Sequence, residues 1–394
     1  MSGQPTSLAT AQGGVLASAA ARRWLVQLVI VAVLVAIGYV ALGNLKGNLA
    51  QRGLSLGFDF LRQEAGFEIS FSLIPFSAGD NYMRVFLVGL TNTLLVTILA
   101  IIFSTILGFI VGIARLSSTW ALQKAAVFYV EIVRNLPQLL HIMLWYNVAL
   151  RNMPVPKQAV GLFDVAFLTN RGIYIPAIHS DRPFLWVISV LCAIAASIAL
   201  YVSISRRSDV IGRPLNAWLP SLAALVLLPV AVVFVSGSTL SIDMPQLKGF
   251  NFVGGWVFVP ELSALVFAMA IYNAAFIAEL VRASIEAVSR GQREAAAAIG
   301  LGWSQTLRYI IIPQAMRVLI PPLGNQYLNI LKGSSLAVAI GFPDLVSVFT
   351  GITMNQTGRA IEIVTMTMGT YLLIGLVITV LLNVFNHMTR IVER

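Results

Sequence analysis

Few residues in this 394-residue chain are spaced for covalent chemistry. The histidines, His141, His179 and His387, lie far apart and form no H-E-x-x-H pair, so a zinc protease has no ligand set. The single cysteine, Cys192, sits in an apolar run, which excludes an intrachain disulfide and a thiolate metal site. None of Lys46, Lys124, Lys157, Lys248 and Lys332 follows a glycine, so there is no G-K-[ST] loop to cradle a nucleoside triphosphate. What stands out instead is charge inside apolar stretches: Glu279 with Arg282, Glu131 with Arg134, and Arg317. A charge at the bilayer centre costs about 2.5–3.5 kcal/mol on insertion scales, so such groups pair or face protein or water. Glu279 and Arg282 are spaced to pair across one helical turn. Both an ion-pairing role and a gating role stay open for Glu279, Arg282, Arg134 and Arg317.

The elements that hold these residues follow from composition. The chain is 58% hydrophobic and 11% charged, against about 25% charged in a soluble domain. The bilayer is therefore its solvent. A span needs roughly 20 apolar residues, because a helix rises about 1.5 Å per residue through a core about 30 Å thick. Candidate spans lie near Trp24–Leu42, Val85–Ala114, Ala126–Leu150, Phe184–Ile204, Leu215–Val235, Pro260–Val281, Ile310–Leu331 and Ile363–Phe385. The expectation is an all-α, polytopic membrane protein of about eight transmembrane helices. Pro313, Arg317, Pro321 and Pro322 interrupt the seventh span. A broken helix at membrane depth must be covered by protein or line a cavity, so this span is expected in the interior. Residues Met1–Ala21 are small and polar and read as a disordered tail. Trp24–Leu42, after Arg22 and Arg23, is too long for a cleaved signal and reads as an uncleaved first helix.

The net charge of +10 is carried by basic residues set singly between apolar spans, not in a stripe, so nucleic acid is excluded as the partner. Membrane orientation explains them. With the N-terminus inside, the inner segments hold Arg22, Arg23, Arg115, Lys124, Arg206, Arg207, Arg213, Arg282, Arg290, Arg293, Arg308, Arg390 and Arg394 against Asp209, Glu286, Glu294 and Glu393. The outer loops are nearly balanced, with Asp59, Glu64, Glu68, Asp80, Asp164, Asp181 and Asp243 offsetting their bases. Both termini are thus expected in the cytoplasm. The outer loops Gly43–Arg84 and Arg151–Pro183 are expected to hold short helices or ordered loops.

The inner segment between the sixth and seventh spans is the most informative. Ser289 and Gln292 form an S-x-x-Q capping box. Four alanines, Ala295–Ala298, follow Glu294 and favour helix with a slim surface. Ile285, Val288, Ala295, Ile299 and Trp303 recur at helical spacing as an apolar stripe. Gly300 and Gly302 permit a sharp turn. The reading is a short capped cytoplasmic helix over Ser289–Gly302 that fits a groove on another protein.

The longer pattern is more specific. Glu294-Ala295-Ala296, three residues, Gly300, nine residues and Ile310-Ile311-Ile312-Pro313 resembles the EAA signature of ABC importer permeases, E-A-A-x3-G-x9-I-x-L-P, with Ile312 in place of leucine. Ala278-Glu279-Leu280-Val281-Arg282, Gly291-Gln292, Pro313-Gln314-Ala315-Met316-Arg317 and Leu331-Lys332-Gly333-Ser334-Ser335-Leu336 resemble the polar-amino-acid subgroup. Gly89-Leu90-Thr91-Asn92-Thr93-Leu94 is similar too, as is Arg134-Asn135-Leu136-Pro137-Gln138-Leu139-Leu140, which departs from the commoner Arg-Gly-Thr-Pro form. The resemblance covers residues 85–114, 126–150 and 260–386, a five-helix core.

The resemblance implies a pore subunit that is not itself an enzyme and holds no cofactor. ATP and magnesium would be bound by a dimer of partner ABC ATPases. The ATPase contact would lie at Ser289, Gly291, Gln292, Glu294, Ala295, Ala296, Gly300 and Pro313. A periplasmic amino-acid-binding protein would deliver substrate at the inner membrane of a bacterium. The implied layout is a tail at 1–23, an extra helix and outer loop at 24–84, core at 85–150, a two-helix insert at 151–257, and core with the EAA loop at 258–394. The enlarged form resembles general L-amino-acid permeases, which pair with a second, related permease chain. An amino-acid substrate would need polar groups along its path, for which Asn92, His141, Trp145, Tyr272, Asn273, Asn325 and Gln326 are the candidates; each also suits a plain helix–helix hydrogen bond. Two rivals are weaker. A secondary transporter of small polar solutes would have no use for the EAA loop, and a membrane enzyme would need a catalytic cluster.

Overall fold

The computed structural model describes residues 19–51, 57–211 and 216–388. Most of the tail expected to be disordered, together with Arg213, Arg390, Glu393 and Arg394 of the charge count, lies outside the described residues.

Helix α1 (Ala19–Gln51) contains the first expected span. Helix α2 (Tyr82–Ala114) contains the second and starts at Asn81, whose side chain accepts the Arg84 N–H at 3.0 Å. Between them, a 3-10 turn at Asp59–Arg62 and a bridge of Glu64 to Asn81 order the first loop.

The third expected span is not one helix. Helix α3 (Trp120–Asn135) stops and α4 (Gln138–Asn152) starts anew, with Leu136 and Pro137 both extended. The proline ring disfavours helical backbone at the residue before it and removes a donor, which breaks the run there.

The second loop also departs from expectation, by forming strands. These are β1 (Val160–Leu162), β2 (Ala166–Thr169), β3 (Gly172–Ile175) and β4 (Ala177–Ser180). Helices α5 (Pro183–Ile211) and α6 (Trp218–Ser236) follow, then β5 (Leu240–Asp243), β6 (Gln246–Lys248), β7 (Asn251–Val253) and β8 (Trp256–Phe258). One antiparallel sheet has the order β1-β2-β3-β8, and β4 pairs with β5 and β6 with β7. Tyr174 is buried beside Phe252, whose ring stacks on Phe167. The all-α expectation thus holds for the membrane part, while strands on both sides of α5 and α6 join into a small cap.

Helix α7 (Pro260–Glu286) is the centre of the molecule: 67% of its apolar window is buried, against 28% or less in the other long apolar helices. It packs on α2, α3, α4 and on α10 (Ile312–Gly333). Its seam with α2 is close. A Cβ on Gly108 would lie 2.6 Å from Ile277, and one on Gly112 would lie 2.7 Å from Val281. Two glycines four apart let helix backbones approach in this way. The main core joins Val96, Ile142, Leu265, Met269, Ile330 and Phe342.

Past α7 come the short helices α8 (Arg290–Ala298) and α9 (Trp303–Thr306) and a π-helical turn, Leu307–Ile311, that runs into α10. The expected break in the seventh span is absent, since α10 passes through Pro321 and Pro322. Adjacent prolines remove donors from a single turn, and the buried Leu319, Ile320 and Leu323 hold that turn in place. A 3-10 segment (Ser334–Ile340), a π-helical segment (Val346–Thr353) and α11 (Met354–Thr357) lead to α12 (Ala360–Met388). Among the described residues, six helices are long and apolar enough to cross a membrane: α1, α2, α5, α6, α7 and α12. Helices α5 and α6 pack chiefly on each other.

Candidate functional site

Helix α8 sits at the end of the bundle opposite the strands. Ser289 is its N-cap, but the side chain makes no capping bond. The anticipated box reduces to the Gln292 N–H donating to the Ser289 carbonyl at 3.2 Å. The Gln292 side chain turns elsewhere and accepts from Gln314 Nε2 at 3.3 Å, tying α8 to the start of α10. Arg293 donates to the Ile285 carbonyl at 3.3 Å, tying α8 to α7. The helix ends in a Schellman motif, with Leu301 N–H on the Ala296 carbonyl and Gly300 N–H on the Ala297 carbonyl, both at 3.0 Å. Gly300 has φ +79°, so its glycine is required by the backbone. Gly302 has φ −68°, which any residue adopts, so the sharp turn expected of both glycines rests on Gly300 alone. Pro313 lies in the first turn of α10, directly after the π-helical turn.

The expected apolar stripe divides. Val288 packs inward on Ile311 and Ala315, with Ile285 and Leu307 beside them. Ile299 and Trp303 point outward, 74% and 67% exposed. On α8 the buried alanine is Ala296, not Ala295. Gly291, Glu294, Ala295, Ala297 and Ala298 are exposed, and Glu294 forms no ion pair among the described residues. A slim helical face carrying Glu294, with Arg290 exposed one turn before it, is therefore presented, flanked by two large apolar side chains.

Beside α8 the charges gather. Glu279 pairs with Arg282 on its own helix, as the spacing predicts, and also with Arg115 from α2, while Arg134 from α3 stands 3.9 Å away. Arg282 in turn reaches Glu286. One carboxylate thus joins the ends of three helices. Sequence reasoning counted Arg115 only as an orientation signal, because nothing in a linear sequence places the end of α2 beside α7. Arg317 lies apart from this cluster, with its Nε buried and without a hydrogen bond.

The substrate-path candidates do not form one site. Asn92 is a staple: fully buried, it donates to the Phe71 and Pro343 carbonyls and accepts from the Leu73 N–H. Trp145 packs edge-on to Phe267 beside an apolar cleft shared with Phe103 and Ile106. Asn325 is exposed and lines a groove between α10 and α12 with Thr379, Asn383 and Asn386. The other four converge near the middle of α7. Gln326 donates to Asn273 Oδ1 at 2.8 Å, and the neighbouring Tyr272 ring lies 5.6 Å from that of His141.

An apolar bundle around one buried helix, with a short helix exposed at one end, defines an integral membrane component. The family described as binding-protein-dependent transport system inner membrane component matches residues 187–394. YhdX of Escherichia coli (strain K12), provisionally assigned as an amino-acid ABC transporter permease protein, is 49% identical over 95% of both chains. The general L-amino acid transport system permease protein AapQ of Rhizobium johnstonii is 43% identical over 93% of this chain and 92% of its own. The glutamate/glutamine/aspartate/asparagine transport system permease protein BztB of Rhodobacter capsulatus is 37% identical over 90% of both. The chain belongs to this family of ABC permeases.

Proposed function

We propose that this chain is the permease subunit of an ATP-driven importer that carries L-amino acids, polar ones foremost, into the cytoplasm. The observation that carries this reading is α8: Gly291, Glu294, Ala295, Ala297 and Ala298 are exposed, while its other face is tied to both α7 and α10. ATP and magnesium are bound by a dimer of separate ABC ATPases that receives this face through Ser289, Gly291, Gln292, Glu294, Ala295 and Gly300; of the other expected contact residues, Ala296 is buried and Pro313 lies half-buried in α10. Nucleotide binding then favours one pore state through differential contacts with α8.

A second, related permease chain completes the pore. Exposed Asn325 and Asn383 support this, because polar groups on membrane helices are costly unless they face protein or water. A periplasmic amino-acid-binding protein delivers substrate at the strand end. In this reading the α8 end and both termini are cytoplasmic, and the chain lies in the bacterial inner membrane. The core is 85–150 with 258–394, and 1–23, 24–84 and 151–257 are additions to it.

The test is to purify the tagged chain in mild detergent with its partners, reconstitute it, add the binding protein, and follow uptake of labelled amino acids. Uptake that needs ATP and is lost in Glu294→Lys supports the proposal. A lone chain that transports down an ion gradient without ATP overturns it.

A further inference from the structure

Where the small sheet meets the membrane helices, an apolar cleft of about 790 Å³ lies between α2, α4 and α7. Leu168 of β2, Ile173 of β3 and Phe258 of β8 wall its strand end. The lining runs from Pro260 to Ile271 on α7 and from Leu99 to Ile110 on α2. That is about 16 Å of helix rise on each, close to the ~15 Å depth of one leaflet of hydrocarbon. Phe103, Ile106, Ile110 and Phe267 belong to the lining and are half or more exposed. The cleft therefore opens sideways and continues the apolar outer face of α2.

The lining offers little to a polar ligand. Its two hydroxyls are engaged within the chain. Thr169 donates to the Gly172 carbonyl and accepts the Arg171 N–H, both at 3.1 Å, and Ser263 donates to the Val259 carbonyl at 2.8 Å. A zwitterion would leave two charges unpaired here, and water needs two or more polar groups to hold it.

The rim is different. The charged residues within two positions of the lining are Arg151, Arg171 and Glu261. Glu261 accepts the Tyr146 hydroxyl at 3.1 Å. Arg151, near the end of α4, falls between the lining residues Ala149 and Met153, and Arg171 falls between Thr169 and Gly172 in the β2–β3 turn. Both arginines are exposed, and neither forms an ion pair among the described residues. Both belong to the strand end, where α4 finishes and α7 begins. A cleft one leaflet deep with two unpaired guanidiniums beside its mouth matches an apolar tail carrying an anionic head. A spanning helix brings no anion and would run into the sheet.

We propose that the cleft holds an acyl chain of an anionic phospholipid from the leaflet at the strand end, and that Arg151 and Arg171 take its phosphate.

The test uses the purified full-length chain with its co-purifying partners in phosphatidylcholine nanodiscs. Phosphatidylglycerol brominated on its acyl chains replaces a rising share of the lipid, and bromine quenches an indole that it touches. The Trp145 signal, from the lining, is the difference between the wild type and Trp145→Phe. It is expected to saturate at a low share of brominated phosphatidylglycerol, and to need a much larger share of brominated phosphatidylcholine. Arg151→Gln and Arg171→Gln should each lower that preference about fivefold. Ala270→Phe, which fills the cleft, should abolish the saturable quenching. Size-exclusion chromatography verifies assembly, and the wild-type titration and the two glutamine variants decide the matter even where the cleft-filling variant fails to fold. Quenching that follows the bulk composition alike for both lipids overturns the site. So does a complete lack of Trp145 quenching, which would mean that a helix of this chain or of a partner covers the cleft. A preference that survives in the double glutamine variant overturns the role of the arginines.

Discussion

Removing the carboxylate of Glu279 is the most informative single perturbation of the charged cluster. Its side chain is 24% exposed, and those of Arg115, Arg282 and Arg134 are 12%, 28% and 41% exposed. Losing one partner of a fully buried pair costs about 3–5 kcal/mol, because a charge is left without compensation. An exposed pair is worth about 0–1 kcal/mol. The cluster lies between these limits, and Arg115, the least exposed guanidinium, loses most. Glu279→Ala should therefore destabilise by about 2 kcal/mol, a factor of roughly 30 in the folded-to-unfolded ratio. The assay is unfolding by sodium dodecyl sulfate in mild detergent micelles, followed by circular dichroism. A double-mutant cycle of Arg115→Ala with Glu279→Ala isolates the pair, with coupling of about 1–2 kcal/mol expected. The Arg282–Glu286 pair is the internal comparison: Glu286 is half exposed, and such a pair four residues apart couples by about 0.3–0.5 kcal/mol. Equal coupling in the two cycles would refute the argument that burial makes Glu279 the hub.

Three further outcomes are expected. Gly300→Ala forces a Cβ onto a left-handed backbone and should cost about 1–2 kcal/mol in the same unfolding assay, whereas Gly302→Ala should be nearly silent. Gly108→Val drives a branched side chain into Ile277 and should cost about 1–3 kcal/mol, read as a lower yield of monodisperse protein. Glu294→Lys lies on an exposed helix face, so stability should stay within about 0.5 kcal/mol while the co-purifying ATPase is lost. Loss of stability in that variant would instead make Glu294 structural.

Much of this was legible in the sequence because period and hydropathy are local properties. The apolar runs of α1, α2, α5, α6, α7 and α12 declare themselves by length alone, and Gly300 marks the end of α8 by its backbone freedom. The Glu279–Arg282 pair follows from spacing on one helix. What escaped depends on contacts between distant segments or on competition within one. Arg115 reaches Glu279 only because Gly108 and Gly112 draw α2 onto α7, a seam whose G-x-x-x-G spacing was there to be read. The capping box was a local signal overruled when Gln292 found Gln314 across the chain. Pro137 breaks a helix where Pro321 and Pro322 do not, although all are prolines in apolar runs. The difference is packing: α10 keeps a continuous buried face through its prolines, while α3 and α4 direct theirs differently. The strands were hidden because β3 pairs with β8 some 80 residues later, across the α5–α6 hairpin.

The arrangement constrains how displacement at α8 reaches the middle of the bundle. Val288 lies under Ile311 and Ala315, Arg293 holds the Ile285 carbonyl, and Gln292 holds Gln314, so α8 is fastened to the ends of α7 and α10 together. Close-packed interiors transmit displacement instead of absorbing it. Along α7 the next fixed points are Glu279, shared with α2 and α3, and Asn273, bonded to Gln326 of α10. The Gly108–Ile277 and Gly112–Val281 contacts leave no slack between α2 and α7. Under the proposed coupling, helices α2, α7 and α10 would respond to α8 as one body, carrying the level of His141, Tyr272 and Asn273 with them. Helix α1, whose apolar window is 0% buried, and the α5–α6 pair share few of these contacts. Under that proposal, α1 and the α5–α6 pair would lie outside the path from α8.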